Sequence, residues 1–236
     1  SECLVGSEMC IRDRCIYFKR LLKEFMTSEV TGMGNHIYTI GRELGSGGYT
    51  VAKLLAERLG IRLYDKELLA QAAKDSGFCE EIFENHDERP TNSFLYSLVM
   101  DTYTGGNYSA APFLDMPLNH KVFLAQFDTI KKIASEESCV IVGRCADYAL
   151  ASNPDCLSIF VHADMDDRIR HVSKREDVTE SKAKDMIQKR DKQRSSYYNY
   201  YTCKKWGDSR SYDLTLNTSK ITPCLLYTSP SPRDTR

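Results

Sequence analysis

From residue 36 onward, short apolar runs rich in β-branched residues alternate with longer amphipathic segments. This alternation limits the possible folds more than any other feature of the chain. The predicted strands lie at 36–40, 61–64, 138–143, 156–163 and 211–218. The main predicted helices lie at 49–60, 65–77, 119–137 and 166–201, the last with a break near Asp177. Strands that alternate with helices form parallel sheets covered by helices. The sequence therefore predicts an α/β fold with a five-stranded parallel sheet.

A glycine-rich turn, GRELGSGG at 41–48, follows the first predicted strand and precedes a predicted helix. Ligands of parallel α/β sheets bind at the carboxyl ends of the strands, where such a turn can close its N–H groups around phosphate oxygens. The phosphate-binding residues predicted here are Gly45, Ser46, Gly47, Gly48, Tyr49 and Thr50. The alternative is that the glycines only make a tight connection between strand and helix.

Composition and charge exclude several other classes of protein. The chain has 236 residues, of which 42% are hydrophobic and 28% charged, as in a globular protein of one or two domains. Its net charge of −1 disfavours binding to nucleic acid or membranes through bulk charge. It has no apolar run of about 18 residues and no secretory signal, and its nine cysteines form no C-x-x-C pair. We therefore expect a cytoplasmic protein, and no membrane or nucleic-acid partner.

Several separated segments resemble the cytidylate-kinase-like family of P-loop nucleoside monophosphate kinases. They read GRELGSGGYTVAKLLAERLGIRLYDKELL, VIVGRCADYAL, FVHADMDDRIR, KRDKQRSSYYNYY and KKWGDSRSYDLTLNTS. The resemblance extends over about 37–218, which is nearly all of the chain apart from its two ends. It implies a three-layer P-loop kinase fold and ATP-dependent phosphoryl transfer to a nucleoside monophosphate, with CMP or dCMP as the default acceptor. ATP would bring Mg²⁺, for which a hydroxyl of Ser46 or Thr50 is the best protein ligand.

The glycine turn departs from the Walker pattern G-x-x-x-x-G-K-[ST]. Alignment on the G-S-G core places Arg42 at the first glycine, Gly48 at the lysine and Tyr49 at the hydroxyl position. Without that lysine, another cation must neutralise the transferring phosphoryl group, and the candidates are Arg42, Lys53, Arg190 and Arg194. Two alternatives therefore stay open: a nucleotide-binding regulatory module without turnover, and a kinase for another small molecule.

The resemblance also implies roles outside the turn. The segment 186–203 is similar to the arginine-bearing lid of nucleoside monophosphate kinases, with Arg190 and Arg194 on one helix face. Arg144 would contact the acceptor phosphate or serve only as a structural ion-pair partner, while Asp65 and Asp147 would lie at the acceptor site or only cap helices. The insert 78–118 would be the acceptor-binding region. The helix that carries Arg168 would start near the donor nucleotide, although a surface role for that arginine is equally open.

The two ends of the chain are expected to lie outside the natural protein. Residues 4–13 and 224–233 can be encoded by opposite strands of one DNA string, and that string resembles a sequencing-library adapter. We therefore predict adapter-derived sequence at 1–14 and 224–236, a leader of uncertain origin at 15–35, and a single P-loop kinase-like domain at 36–223. The oligomeric state stays open.

Overall fold

The computed structural model describes residues 35–65 and 118–220, together with positions 68, 75 and 77. Most of the predicted helix 65–77, nearly all of the insert 78–118 and both predicted adapter segments lie outside the described residues. The domain boundaries therefore stay predictions.

The elements of the described residues follow the predicted order. The strands are β1 (Ile37–Arg42), β2 (Arg62–Tyr64), β3 (Cys139–Val142), β4 (Cys156–His162) and β5 (Leu214–Asn217). The helices are α1 (Gly48–Leu59), α2 (Leu118–Glu136), α3 (Ala146–Ala149), α4 (Met165–Glu176) and α5 (Glu180–Thr202), with a 3₁₀ turn at Ser209–Ser211. The predicted break falls at Asp177, whose φ of 52° ends α4, and Thr179 then caps α5 by accepting a hydrogen bond from the Lys182 N–H.

The strands form one parallel sheet in the order β2-β3-β1-β4-β5. Strand β1 lies at the centre, where Ile37 pairs with Cys139 of β3 on one side and with Cys156 of β4 on the other. The carboxyl ends of β1 and β3 therefore lie side by side, and it is at this edge that parallel α/β sheets bind ligands.

Helices cover both faces of this sheet, because neighbouring side chains of a strand point to opposite faces. On one face, Tyr38 and Ile40 belong to a buried cluster with Leu55 of α1. On the other face, Ile37 belongs to a second buried cluster with Ile130 of α2. Both the five-stranded parallel sheet and the three-layer arrangement are confirmed.

An aromatic cluster holds the end of α5 against the sheet and α2. The Tyr201 ring stacks on Phe123 of α2 with 4.0 Å between ring centroids, and Tyr198 lies beside Tyr212 just before β5. This packing places α5 over the carboxyl ends of the central strands. Of the helices within the described ranges, none has the length and apolar character needed to cross a bilayer.

Candidate functional site

The glycine turn depends on conformations that favour glycine. Gly45 has φ 81° and Gly47, the residue before α1, has φ 73°. A Cβ atom at Gly45 would also lie 2.8 Å from the Arg168 carbonyl oxygen. The turn is therefore packed tightly against α4 at Gly45, whereas at Gly47 nothing lies within 4 Å of an added Cβ.

The hydroxyl groups predicted for Mg²⁺ differ in accessibility. Ser46 is buried, and its hydroxyl donates to the Glu43 carbonyl oxygen at 2.9 Å, which stabilises the turn. Thr50 is exposed in the first turn of α1, and so is Tyr49, with 51% of its surface accessible. Mg²⁺ accepts oxygen ligands and keeps much of its water shell. Thr50 therefore fits such an ion better than the internally bonded Ser46.

A cleft that opens to solvent lies between the carboxyl ends of β1 and β3 and residues of α5. Three arginines from three different elements line it: Arg42, Arg144 and Arg194. The other lining residues include Thr39, Gly41, Gly143, Asp147, Tyr197, Tyr198, Trp206 and Tyr212. Guanidinium groups bind phosphates in a planar, two-pronged geometry, so the arrangement suits an anion that carries several oxygens.

Arg144 is held rigidly at the end of β3. It follows Gly143 and precedes Cys145, and all three residues have left-handed backbone conformations, which is uncommon for arginine and cysteine. The Arg144 side chain is only 4% exposed, and its Nη1 donates to the Val142 carbonyl and to Asp65 Oδ1, both at 3.0 Å. The same carboxylate oxygen of Asp65 lies 3.9 Å from Arg42 Nη2. The structure thus brings Asp65, Arg42 and Arg144 together.

Asp147, in the short helix α3 that follows Arg144, is an acidic residue of the cleft lining. Its Oδ2 accepts a 2.6 Å hydrogen bond from the Tyr198 hydroxyl and lies 4.0 Å from Lys204 Nζ. Burial raises the pKa of the Asp147 carboxyl, against the lowering effect of that hydrogen bond. Burial and the neighbouring Asp147 also raise the pKa of Tyr198.

The predicted lid residues separate in the structure. Arg194 of α5 lines the cleft and donates from Nη1 to the Arg42 carbonyl oxygen at 3.4 Å. Arg190, one helical turn earlier, is exposed and is not among the residues that line the cleft. Lys53 is also exposed, and its Nζ lies 3.8 Å from Glu57 on the same face of α1.

A buried ionic cluster next to the turn was not predicted from the sequence. Arg168 of α4, 5% exposed, donates from Nε to the Leu44 carbonyl at 2.8 Å and pairs with both Glu43 and Asp191. Asp191 of α5 in turn accepts a 2.9 Å hydrogen bond from the Leu44 N–H. This turn clamp, Arg168 with Glu43 and Asp191, joins the glycine turn to α4 and α5. In the sequence, only the position of Arg168 shortly after the fourth predicted strand indicated that this arginine could lie near the turn.

The comparison with known proteins agrees with this arrangement, since residues 37–220 match the cytidylate kinase-like family. The chain belongs to that family. The cytidylate kinase-like match spans every described strand of the sheet and the glycine turn, and it includes the segment outside the described residues that was predicted as the acceptor region.

Individual proteins are similar to the same part of the chain. The cytidylate kinase of Pyrococcus horikoshii is 29% identical over 189 residues, which cover 79% of this chain and 82% of that protein. The cytidylate kinase of Methanocaldococcus jannaschii is 27% identical over 190 residues, covering 78% and 89%. A crystal structure of an uncharacterized protein from Eubacterium ventriosum is 37% identical, with a TM-score of 0.57, over 78% of this chain and 88% of that one. Similarity to the cytidylate kinase-like family is thus spread over the whole described domain.

Proposed function

We propose that the protein transfers the γ-phosphoryl group of ATP to a nucleoside monophosphate, with CMP or dCMP as the default acceptor. The observation that carries the proposal is the convergence of Arg42, Arg144 and Arg194 on one cleft beside a glycine turn. Phosphoryl transfer depends mainly on positioning and on electrostatic stabilisation of phosphate oxygens, and the cleft supplies cations from three separate elements.

The proposed roles follow the position of each group. Gly45, Gly47 and Gly48 form the backbone of a cradle for the ATP phosphates at the start of α1. Arg144, oriented by Asp65, binds the acceptor phosphate, and Asp147 lies where the acceptor nucleoside would reach. Arg194 contacts the phosphates from the lid, whereas Arg190 is exposed and does not line the cleft. The nucleophile is an oxygen of the acceptor phosphate, so no protein nucleophile is required.

Magnesium is proposed to arrive with ATP. Thr50 would hold it through an exposed hydroxyl, and the ion would supply charge neutralisation between the phosphates. Among the described residues, no cluster of three His, Cys, Asp or Glu side chains offers a dedicated metal site.

A second candidate function is a nucleotide-binding module without turnover. The observation in its favour is Gly48, which stands where a Walker lysine is expected. Such a module would bind ATP at the turn and transfer nothing.

The test is ADP formation from ATP and Mg²⁺ with CMP, dCMP, UMP, AMP and GMP supplied one at a time. We expect acceptor-dependent ADP release that is fastest with a cytidine nucleotide. If none of these acceptors gives release, a wider panel of small-molecule acceptors follows, and release with one of those would identify another kinase of this fold. ATP-dependent stabilisation without any release would favour the regulatory module.

A further inference from the structure

We propose that Arg42 supplies the positive charge that a lysine supplies in a Walker loop, and that Gly48 is the residue that makes room for it. This inference rests on the proposed function, because it names the residue of the glycine turn that stabilises the transferring phosphoryl group. Position 42 corresponds to the first glycine of the Walker pattern and position 48 to its lysine. In this chain the cation stands at position 42 and the glycine at position 48, so the two residue types have exchanged places.

The steric observation is a close approach of two backbones. A Cβ atom built on Gly48 would lie 2.5 Å from the Cβ of Arg42 and 3.3 Å from its Cγ. Atoms so near the main chain cannot move aside as the end of a flexible side chain can. A side chain at position 48 is therefore incompatible with the side chain at position 42, and one of the two positions must be glycine.

The position of Arg42 suits the task. It is the last residue of β1, directly before the glycine turn, and its mostly buried side chain lines the cleft. Its Nη2 lies 3.9 Å from Asp65 Oδ1, beyond hydrogen-bond distance, whereas Arg144 holds the same oxygen at 3.0 Å. Arg144 thus lies closer to the Asp65 carboxylate than Arg42 does.

The other described cations close to the turn are less suited. Lys53 is exposed on α1 and pairs with Glu57. Arg168 is buried and neutralised by Glu43 and Asp191, so its charge stabilises the turn clamp. Arg194 approaches the turn from α5, a separate element, as a lid residue does. Arg42 is the described cation that β1 itself places beside the phosphate cradle.

The experiment is a charge swap in the 236-residue chain. R42G removes the cation. R42G/G48K restores it in the Walker position without the 2.5 Å contact to residue 42, and only a 3.3 Å approach to the Val161 Cβ is left there. R42A/G48K restores the cation while the alanine Cβ keeps the 2.5 Å contact. We expect R42G to lower kcat for ADP release by about 100-fold or more, as loss of a transition-state cation does. R42G/G48K should recover at least about tenfold of that loss, and R42A/G48K should not.

Two further readouts do not depend on turnover. The melting temperature of G48K alone should fall well below that of R42G/G48K, because only the single variant keeps the clash. The preference for ATP over ADP in equilibrium binding should shrink in R42G and return in R42G/G48K, because the swapped cation faces the terminal phosphate.

The outcomes separate the two proposals. A wild-type protein that releases no ADP with any acceptor contradicts the proposed function, and the ATP-over-ADP preference then still tests the inference. A wild-type enzyme whose kcat changes less than about threefold in R42G overturns the role of Arg42. Equal recovery in R42G/G48K and R42A/G48K overturns the steric part.

Discussion

At the scale of single residues, the turn shows how a backbone conformation restricts residue choice. Gly45 and Gly47 have nearly the same positive φ, yet a side chain at Gly45 would meet α4 and one at Gly47 would meet nothing. A substitution at Gly47 therefore measures the energetic cost of the backbone conformation alone, and one at Gly45 measures that cost together with the cost of a steric clash.

We predict that Gly47→Ala lowers the free energy of unfolding by about 1–2 kcal/mol, the cost of a left-handed alanine. Gly45→Ala should cost distinctly more, because its Cβ would also lie 2.8 Å from the Arg168 carbonyl oxygen. Urea denaturation of both variants measures the difference. Equal losses would show that the turn moves away from α4 without penalty.

Asp147 provides a prediction with a pH dependence. Burial raises its pKa in the folded state, so the folded protein holds this proton to a higher pH than the unfolded chain does. The contribution of Asp147 to stability therefore falls as pH rises from the unfolded pKa through the folded pKa.

Asp147→Asn keeps an oxygen that can accept from Tyr198 and removes the buried charge. We expect its melting temperature to exceed that of the wild type at about pH 8 and the gap to narrow toward about pH 4. Asp208→Asn is the control of opposite sign, because hydrogen bonds from Arg210 lower the pKa of Asp208. At high pH the wild type should therefore be more stable than the Asp208→Asn variant. Parallel curves for wild type and Asp147→Asn would contradict the prediction.

At the scale of elements, α5 carries two functions along its length. Its middle contributes Asp191 to the turn clamp and Arg194 to the cleft, and its end packs aromatic rings against α2 and the residues before β5. Packing of the carboxyl-terminal turns thus decides which face of the helix is turned toward the site.

We predict that Arg168→Met lowers the free energy of unfolding by about 3–5 kcal/mol, since it leaves Glu43 and Asp191 without their buried cation. The matched control is Arg170→Met on the same helix. Arg170 is exposed and, among the contacts described, pairs only with Asp167 on the same helix. The Arg170→Met variant should therefore have the melting temperature of the wild type. A small effect of Arg168→Met would show that the clamp is dispensable for the fold.

The predicted lid supports a comparison of two arginines one turn apart. We expect Arg194→Met to lower kcat/KM by about 100-fold and Arg190→Met by about threefold or less, because only Arg194 lines the described cleft. Steady-state kinetics with ATP and the preferred acceptor measures both. Equal losses would instead show that both arginines reach the phosphates once nucleotide is bound, as the i, i+4 spacing predicts.

At the scale of the whole molecule, the site lies where the central strand meets β3, with α5 and the residues before β5 above it. Ligands bound there contact segments far apart in the chain, so they should stabilise the domain as a unit. Binding to the folded state alone raises stability by about 2.7 kcal/mol at 100 times Kd.

We predict that ATP at that excess raises the melting temperature by about 5–10 °C and that CMP adds a further rise. Arg144→Lys should keep the ATP shift and lose most of the CMP shift, because lysine cannot bind the acceptor phosphate with a two-pronged guanidinium. Thermal denaturation with each nucleotide checks this. For each variant, the melting temperature with nucleotide is compared with that of the same variant without it. Loss of both shifts would place Arg144 at the ATP phosphates instead.

Much of the fold could be predicted because it is encoded locally. Strand periodicity, the glycine turn and the break at Asp177 each depend on a few neighbouring residues, and the strands and the turn recur in the structure close to their predicted bounds. The turn clamp could not be predicted, because Glu43, Arg168 and Asp191 lie in separate segments and look like ordinary surface charges in sequence.

The sequence by itself determined the alternation of strands and helices, the family and the position of the glycine turn, since these depend on short-range pattern. Only the tertiary structure decided which charges meet. Packing of α5 placed Arg194 in the cleft and left Arg190 exposed, and the approach of β1 to α1 excluded a side chain at Gly48 next to Arg42. Burial and distance between remote segments decide such matters, and a linear pattern contains neither.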